Sequence, residues 1–451
     1  MNQQIVLFLS ILLIIFLISL DKKKNISVSY GLWIPLLWIL ILGSRPLTMW
    51  FNPQLSIDSP EDYLEGSPID RAFFILLIVI GCIILARRKI NWQMLVKNNM
   101  GLFLLLLYGG MSIVWSDYPV VSLKRWIKGF GNIIIVLIVI TEYDPVEAIK
   151  VLYKRCTYIL IPLSIVFIKY FSTLGRIYNR WTGEPQYTGV TTSKNELGMI
   201  CFIFGIFFFW NLIEKFNKSQ IFTSKKEILI EIIFFAMIIY LLKLSNSATS
   251  MLCFALGIFI LLALRINFIK RNINYIGLYI IISIFIFLML EVSFDITQKI
   301  IYLAGRDITL TGRTEIWSEV IRMTTNPILG TGYESFWLGS RAQILWDKYY
   351  WHPNQSHNGY IEIYINLGLL GLFFLLGFIF TSYRNISKGL VFNANFGSLR
   401  ITYFFVVLIY NITEATFKGL NIILFSFLLV AIEYFNVNDN QVLYETSYQD
   451  E

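Results

Sequence analysis

The sequence predicts an all-α polytopic membrane protein, on three observations. Of the 451 residues, 56% are hydrophobic and only 15% are charged, against about 25% charged in soluble domains. Mean hydropathy is +0.65. Long apolar runs such as Ile5–Leu20 and Tyr279–Leu290 recur along the chain, as expected of segments that cross a hydrocarbon layer.

Hydropathy places about thirteen helices, near 4–20, 29–44, 71–86, 99–115, 127–141, 150–168, 195–214, 227–243, 247–266, 272–291, 359–381, 398–413 and 418–435. Several are shorter than the roughly 20 residues of a perpendicular span. The implied organisation is a membrane bundle over 1–291 and an extracytoplasmic loop with short helices over 292–358. Membrane helices follow over 359–436, with an acidic cytoplasmic tail over 437–451. The first segment lacks a positive leader and a small-residue cleavage site, so it reads as an uncleaved helix.

Orientation follows from charge. Under strict alternation one side receives Lys22 to Lys24, Arg87 to Lys89, Lys154-Arg155, Lys215 to Lys226, Arg265 to Arg271 and Arg384 to Lys388. Short loops dense in Lys and Arg belong in the cytosol. The acidic 45–70 loop then lies outside, and the protein belongs in the bacterial cytoplasmic membrane with its working face outward. The net charge of +8 is explained by this bias, and no module for nucleic acid is present. Cys82, Cys156, Cys201 and Cys253 sit in apolar segments and read as packing residues.

The outer cations remain to be explained. Trp115-Ser116-Asp117-Tyr118-Pro119 precedes Lys124-Arg125-Trp126 and Lys128. This is either an interfacial helix with Trp anchors or a site for an anionic headgroup. Loop 169–195 ends Thr191-Thr192-Ser193-Lys194-Asn195 where a helix begins. Its hydroxyls suit ordinary capping, and its free N–H groups suit phosphate.

The loop from about 295 to 360 is far longer than a helix connection requires. Its six Lys and Arg balance six Asp and Glu, so single positions must matter rather than a basic patch. Arg306 and Arg313 are such positions, with a salt bridge to Asp307 or Glu315 as their ordinary use. Both histidines of the protein, His352 and His357, fall in Trp351–Tyr360. An imidazole with an ordinary pKa near ~6.5 suits proton transfer. Two histidines without a clear third ligand do not make a zinc site. No Walker motif and no Gly-x-Ser-x-Gly elbow occur.

Several pieces together resemble the bacterial O-antigen ligase and exopolysaccharide polymerase superfamily. They are Trp115-Ser116 with Ser122 and Arg125, Gly189-Val190-Thr191 with Lys194-Asn195 and Gly198, and Thr311-Gly312-Arg313 with Trp317 and Pro327. Gly330-Thr331-Gly332 and Ser356-His357-Asn358-Gly359-Tyr360, followed by Gly368 to Gly371, complete the set. They span about residues 110 to 375. The first two pieces are more similar to exopolysaccharide polymerases than to lipid A-core ligases.

The resemblance implies a metal-independent, cofactor-free glycosyl transfer from a polyprenyl diphosphate to a sugar hydroxyl at the outer membrane face. The substrates would be a lipid-linked oligosaccharide donor and a glycan acceptor, within membrane lipid, with a chain-length regulator as a further partner. By its match, His357 would be the base and Arg313 the main diphosphate clamp. Arg306, Lys194 and Arg125 would support the clamp, and Trp351, Trp317, Tyr360 and Asn358 would contact sugar. Family ligases often carry a further Arg mid-chain; here Lys243 stands nearest, and a lysine lacks the bidentate fork. A ligase of the same family is the alternative within the class, and a flippase for lipid-linked sugars the alternative outside it.

Topology fixes the first test. A cysteine introduced at Gln355 in whole cells should react with a membrane-impermeant thiol reagent. Labelling only after lysis would put the histidine loop in the cytosol.

Overall fold

The computed structural model describes residues 2–24, 28–52, 67–178, 183–217, 225–275, 277, 279, 313–349 and 351–434. The expected helix over 272–291, Arg306 with the first part of the long loop, and the tail over 437–451 fall essentially outside them. Every other expected segment is helical: α1 (Gln3–Lys24), α2 (Trp33–Leu42), α3 (Pro68–Ala86), α4 (Met100–Met111), α5 (Pro119–Ile140) and α6 (Pro145–Tyr170). After a two-stranded antiparallel hairpin, β1 (Arg176–Tyr178) and β2 (Pro185–Tyr187), come α7 (Lys194–Asn217), α8 (Lys225–Ser245) and α9 (Ala248–Ala263). The long loop contributes α10 (Arg313–Arg322) and α11 (Gly339–Lys348). The chain then closes with α12 (Gly359–Phe392), α13 (Ala394–Thr413) and α14 (Ile422–Ala431). Among the described residues seven helices are long and apolar enough to cross a membrane. An eighth results if Trp92–Asn98 and Met100–Trp115, bent by 90°, form one span. The protein is an all-α polytopic membrane protein.

Two equally apolar helices show how the bundle is layered. The α7 segment is buried over 78% of its most apolar window, with Phe202, Phe204, Phe207, Phe208 and Trp210 all enclosed. A helix apolar on every side belongs at the centre of such a bundle. The α1 window is only 17% buried, and Phe8, Leu9, Leu12 and Phe16 point outward. Among the described residues nothing covers that face, and lipid is the solvent that suits it.

Charge is sorted to the two ends of the bundle. At one end Lys154 and Lys215 share Glu231, at 3.2 and 2.7 Å, Lys150 meets Glu214 at 3.3 Å, and Arg155 meets Asp21 at 2.7 Å. Arg88 with Glu142, and Arg400 with Glu433 at 2.6 Å, lie at the same end. These are the helix ends that the alternation of charge assigns to the cytosol. Their cations are consumed by structure.

The opposite end carries the long loop, held by a break in α12. Gly368 has φ +66° and ψ −165°, a backbone region reserved in practice for glycine. The break frees backbone groups that a low-dielectric surrounding cannot leave unpaired. Segment 327–332 takes them up. Leu369 N donates to Pro327 O at 2.9 Å, Thr331 N to Ile365 O at 3.1 Å, and Gly332 N to Asn366 O at 2.9 Å. The Tyr108 hydroxyl donates to Leu367 O at 2.9 Å. A Cβ on Gly368 would stand 2.1 Å from Ile328 O.

Gly368→Ala should therefore lower stability by about 2 kcal/mol or more, read as thermal unfolding of purified protein in detergent. Gly377→Ala on the same helix, where an added Cβ meets nothing within 4 Å, should be neutral or raise it by up to about 1 kcal/mol. Equal behaviour of the two would show that the break is not built on Gly368.

Candidate active site

Helix α12 starts at Gly359 because Asn358 caps it. Its Oδ1 accepts from Tyr360 N at 2.9 Å and Ile361 N at 3.1 Å, the usual use of Asn at an N-cap. Its Nδ2 donates to Ile412 O at 3.0 Å, tying the start of α12 to the end of α13. Both ends of the Asn358 amide are thus committed. On the other side of His357, Ser356 donates from N and Oγ to Glu362 at 3.0 and 2.9 Å. The Trp317 indole donates to Ser356 O at 2.7 Å. Clamped on both flanks, His357 holds φ +53°, a left-handed conformation uncommon for a non-glycine residue.

The pinned imidazole meets a buried carboxylate. His357 Nδ1 lies 3.2 Å from Glu414 Oε2, and Arg313 donates to Glu414 Oε1 at 2.9 Å and also to Thr413 O. The Asn195 amide approaches the same Oε1 at 3.5 Å. Glu414 is 4% exposed at its side chain, His357 29% and Arg313 16%. A carboxylate only accepts, so this contact puts the imidazole proton on Nδ1 and leaves the lone pair on Nε2. Glu414 also follows the last turn of α13, where helix carbonyls make negative charge unwelcome. Arg313 answers both charges at once.

A second carboxylate supports the first. Glu362, 1% exposed at its side chain, accepts from Trp337 Nε1 at 2.7 Å, Lys418 Nζ at 2.9 Å and the two Ser356 donors. Lys418 also donates to Asn354 O at 2.8 Å. Four chain segments, 335–338, 354–358, the α12 start and the 414–421 loop, are thereby locked around His357.

Of the residues singled out in the sequence, His357 and Arg313 meet at Glu414, and Lys194 lies one residue from Asn195 at the same α7 start. There Ser193 caps Glu196 N at 3.2 Å, and Glu196 returns to Thr192 N at 2.9 Å, so the capping expected of this stretch is present. Lys243 is exposed at the end of α8. The turn after it is brought to the α13 end by Thr249 and Thr413, 3.1 Å apart. Arg125 is turned elsewhere and donates to Glu334 O. The Tyr360 hydroxyl is spent on Leu408 O at 2.9 Å. Trp351 is exposed beside Tyr349, ring centroids 4.9 Å apart. His352 lies flat on Trp346 at 4.6 Å, away from the carboxylate.

Glu414, Glu362, Lys418 and Arg45 escaped the sequence reading. Arg45, buried among the carbonyls of Leu174, Val190 and Thr191 at 2.8, 3.2 and 3.0 Å, braces the loop that leads into α7. Burial pushes its guanidinium pKa down, and Glu196 opposes that shift. The available signal for Glu414 was a carboxylate in the short gap between two apolar segments, on the side that carries His357.

Fold and site together define a multi-pass membrane protein with an imidazole, a guanidinium and a shared carboxylate gathered at one end of its helices. Residues 232–376 match the family model described as O-antigen ligase. The exopolysaccharide production protein ExoQ of Rhizobium meliloti (strain 1021) is 26% identical over 298 residues, 64% of this chain and 66% of that protein, just under two thirds of its length. The chain is thus similar to proteins of the O-antigen ligase and exopolysaccharide polymerase superfamily. His357 and Arg313 lie inside the matched segment, and Glu414 lies beyond it.

Removing the shared carboxylate is the direct test of this geometry. Glu414→Ala leaves Arg313 and His357 without a counter-charge, and should cost about 3 kcal/mol in thermal unfolding. Glu414→Gln, which still accepts from Nδ1–H, should cost less. Two identical melting curves for wild type and Glu414→Ala would mean that the carboxylate does not hold these groups.

Proposed function

We propose that the protein is a membrane polymerase that joins polyprenyl-diphosphate-linked oligosaccharide repeats into a surface polysaccharide. The observation that carries this is the meeting of His357 and Arg313 on Glu414 in a chain similar to this family. His357, its Nδ1–H held by Glu414, takes the acceptor hydroxyl proton at Nε2, a role worth about 10²–10⁴-fold. The hydroxyl oxygen attacks the anomeric carbon, the bond to the diphosphate breaks, and the configuration inverts. The diphosphate leaves with its negative charge, which Arg313 stabilises in place of a metal ion. Lys194, at the positive end of the α7 dipole, supports the same charge, and Arg306, Arg125 and Lys243 are lesser candidates. Trp351 and Trp317 offer ring faces to sugar. The working face is extracytoplasmic, in the bacterial cytoplasmic membrane.

A ligase that moves a finished glycan to another acceptor is the second reading, supported by the description of the matched family model. Product length separates the two, because loss of a ligase leaves long lipid-linked chains.

His357→Ala and Arg313→Ala should each lower polymer formation at least about 10²-fold while the protein still reaches the membrane. Lipid-linked single repeats should collect on the outer leaflet. Normal polymer from both variants would sink the assignment, and repeats trapped on the cytoplasmic leaflet would favour a flippase.

A further inference from the structure

One residue of α13 packs against the segments that carry both partners of the His357–Glu414 contact. Asn411 is fully buried near the end of α13, in a stretch that otherwise reads Val406-Val407-Leu408-Ile409-Tyr410 before it and Ile412 after it. An amide in such surroundings is costly unless its donor and its acceptor are both used. Here both are. Nδ2 donates to Val407 O at 2.9 Å, and Oδ1 accepts from Thr416 N and Phe417 N, each at 3.0 Å.

The two accepted N–H groups belong to the chain just beyond Glu414. Glu414 caps the end of α13 and donates from N to Tyr410 O at 3.0 Å. The chain then turns back at once, because Thr416 N and Phe417 N converge on one oxygen of the helix they have left. Glu414 is therefore held between a helix end and a turn that the Asn411 side chain closes.

The same amide lies against the start of α12. A Cβ added to Gly359 would stand 2.0 Å from Asn411 Oδ1 and 2.8 Å from its Cγ, so any side chain there would displace the amide. Gly359 follows His357 and Asn358 directly. One planar group thus abuts the segment that carries the imidazole and ties down the segment that carries the carboxylate. The spacing it keeps is narrow. His357 Nδ1 and Glu414 Oε2 are 3.2 Å apart, and a shift of about 1 Å would end that hydrogen bond.

We propose that Asn411 is a positioning residue for this site: its amide sets the separation of His357 from Glu414 and thereby selects the imidazole tautomer. Its value for glycosyl transfer rests on the polymerase reading, with His357 as base; the spacing itself does not.

The test reads the tautomer directly. The protein has only two histidines, so ring-nitrogen NMR of the full chain in nanodiscs, with isotope-labelled histidine in a His352→Gln background, sees His357 alone. With Asn411 in place, the ring should carry its proton on Nδ1. Asn411→Leu, which keeps most of the volume and removes the acceptor, should give the same mixed tautomers as Glu414→Ala. In cells it should lower polymer formation at least about tenfold. Asn411→Asp retains the acceptor oxygen and should retain the Nδ1–H form, which separates loss of the turn from loss of the fold. A folded Asn411→Leu protein with an unchanged tautomer would overturn the proposal, whatever its melting temperature. If that variant does not fold, Gly359→Ala displaces the same amide from the α12 side and should mix the tautomers in its place; an unchanged Nδ1–H form there overturns the proposal equally. Mixed tautomers with normal polymer would uphold Asn411 as the spacer and remove His357 as the base.

Discussion

One carboxylate governs the arrangement of this end of the bundle. Glu414 is buried at the negative end of α13, where neither burial nor the helix dipole favours its charge. It is stable there because Arg313 reaches it from the long loop and His357 from the α12 start. Each partner comes from a different segment, so the ion pair also fixes how the loop sits on the helices. The same contact fixes the imidazole tautomer. A single electrostatic requirement therefore helps to seat the loop on the helices and selects the tautomer of its histidine.

The loop is long, and one ion pair cannot order it alone. The backbone does the rest. Where α12 breaks at Gly368, the 327–332 segment pairs with carbonyls and amides on both sides of the break, and Trp115 Nε1 donates to Leu329 O at 3.3 Å. Gly332 packs so close to Ser116 that a Cβ would lie 2.5 Å from its Cα. Motif pieces far apart in sequence, Trp115-Ser116, Gly330 to Gly332 and Gly368, are therefore one structural joint. Their joint role is to hold the loop, which leaves chemistry to residues that the joint does not consume.

This division explains what was legible beforehand. Helices were readable from hydropathy because each must satisfy its own backbone within lipid. His357 and Arg313 were readable because polar side chains are scarce here and these match a known pattern. Glu414 and Glu362 were not, because their meaning lies in contacts across 101 residues, from Arg313 to Glu414, and 56, from Glu362 to Lys418. Trp317, Tyr360 and Asn358 matched the pattern equally well, yet their hydrogen-bonding groups serve backbone atoms of the fold. A motif marks positions that matter without separating what binds from what braces.

The two ends of the bundle extend that distinction. At the end rich in short basic loops, Lys150, Lys154, Arg155, Lys215 and Arg400 each face a carboxylate. Charge there is spent on holding helices together. At the other end Lys418 and Lys348 also meet carboxylates, Glu362 and Glu319, while Lys243 is exposed and Arg313 shares its carboxylate with an imidazole. Where a guanidinium and an imidazole share one carboxylate, a single negative charge faces two groups able to carry positive charge. An anionic ligand beside them would restore the balance, and a phosphate-bearing lipid is an anion that reaches this level from within the bilayer.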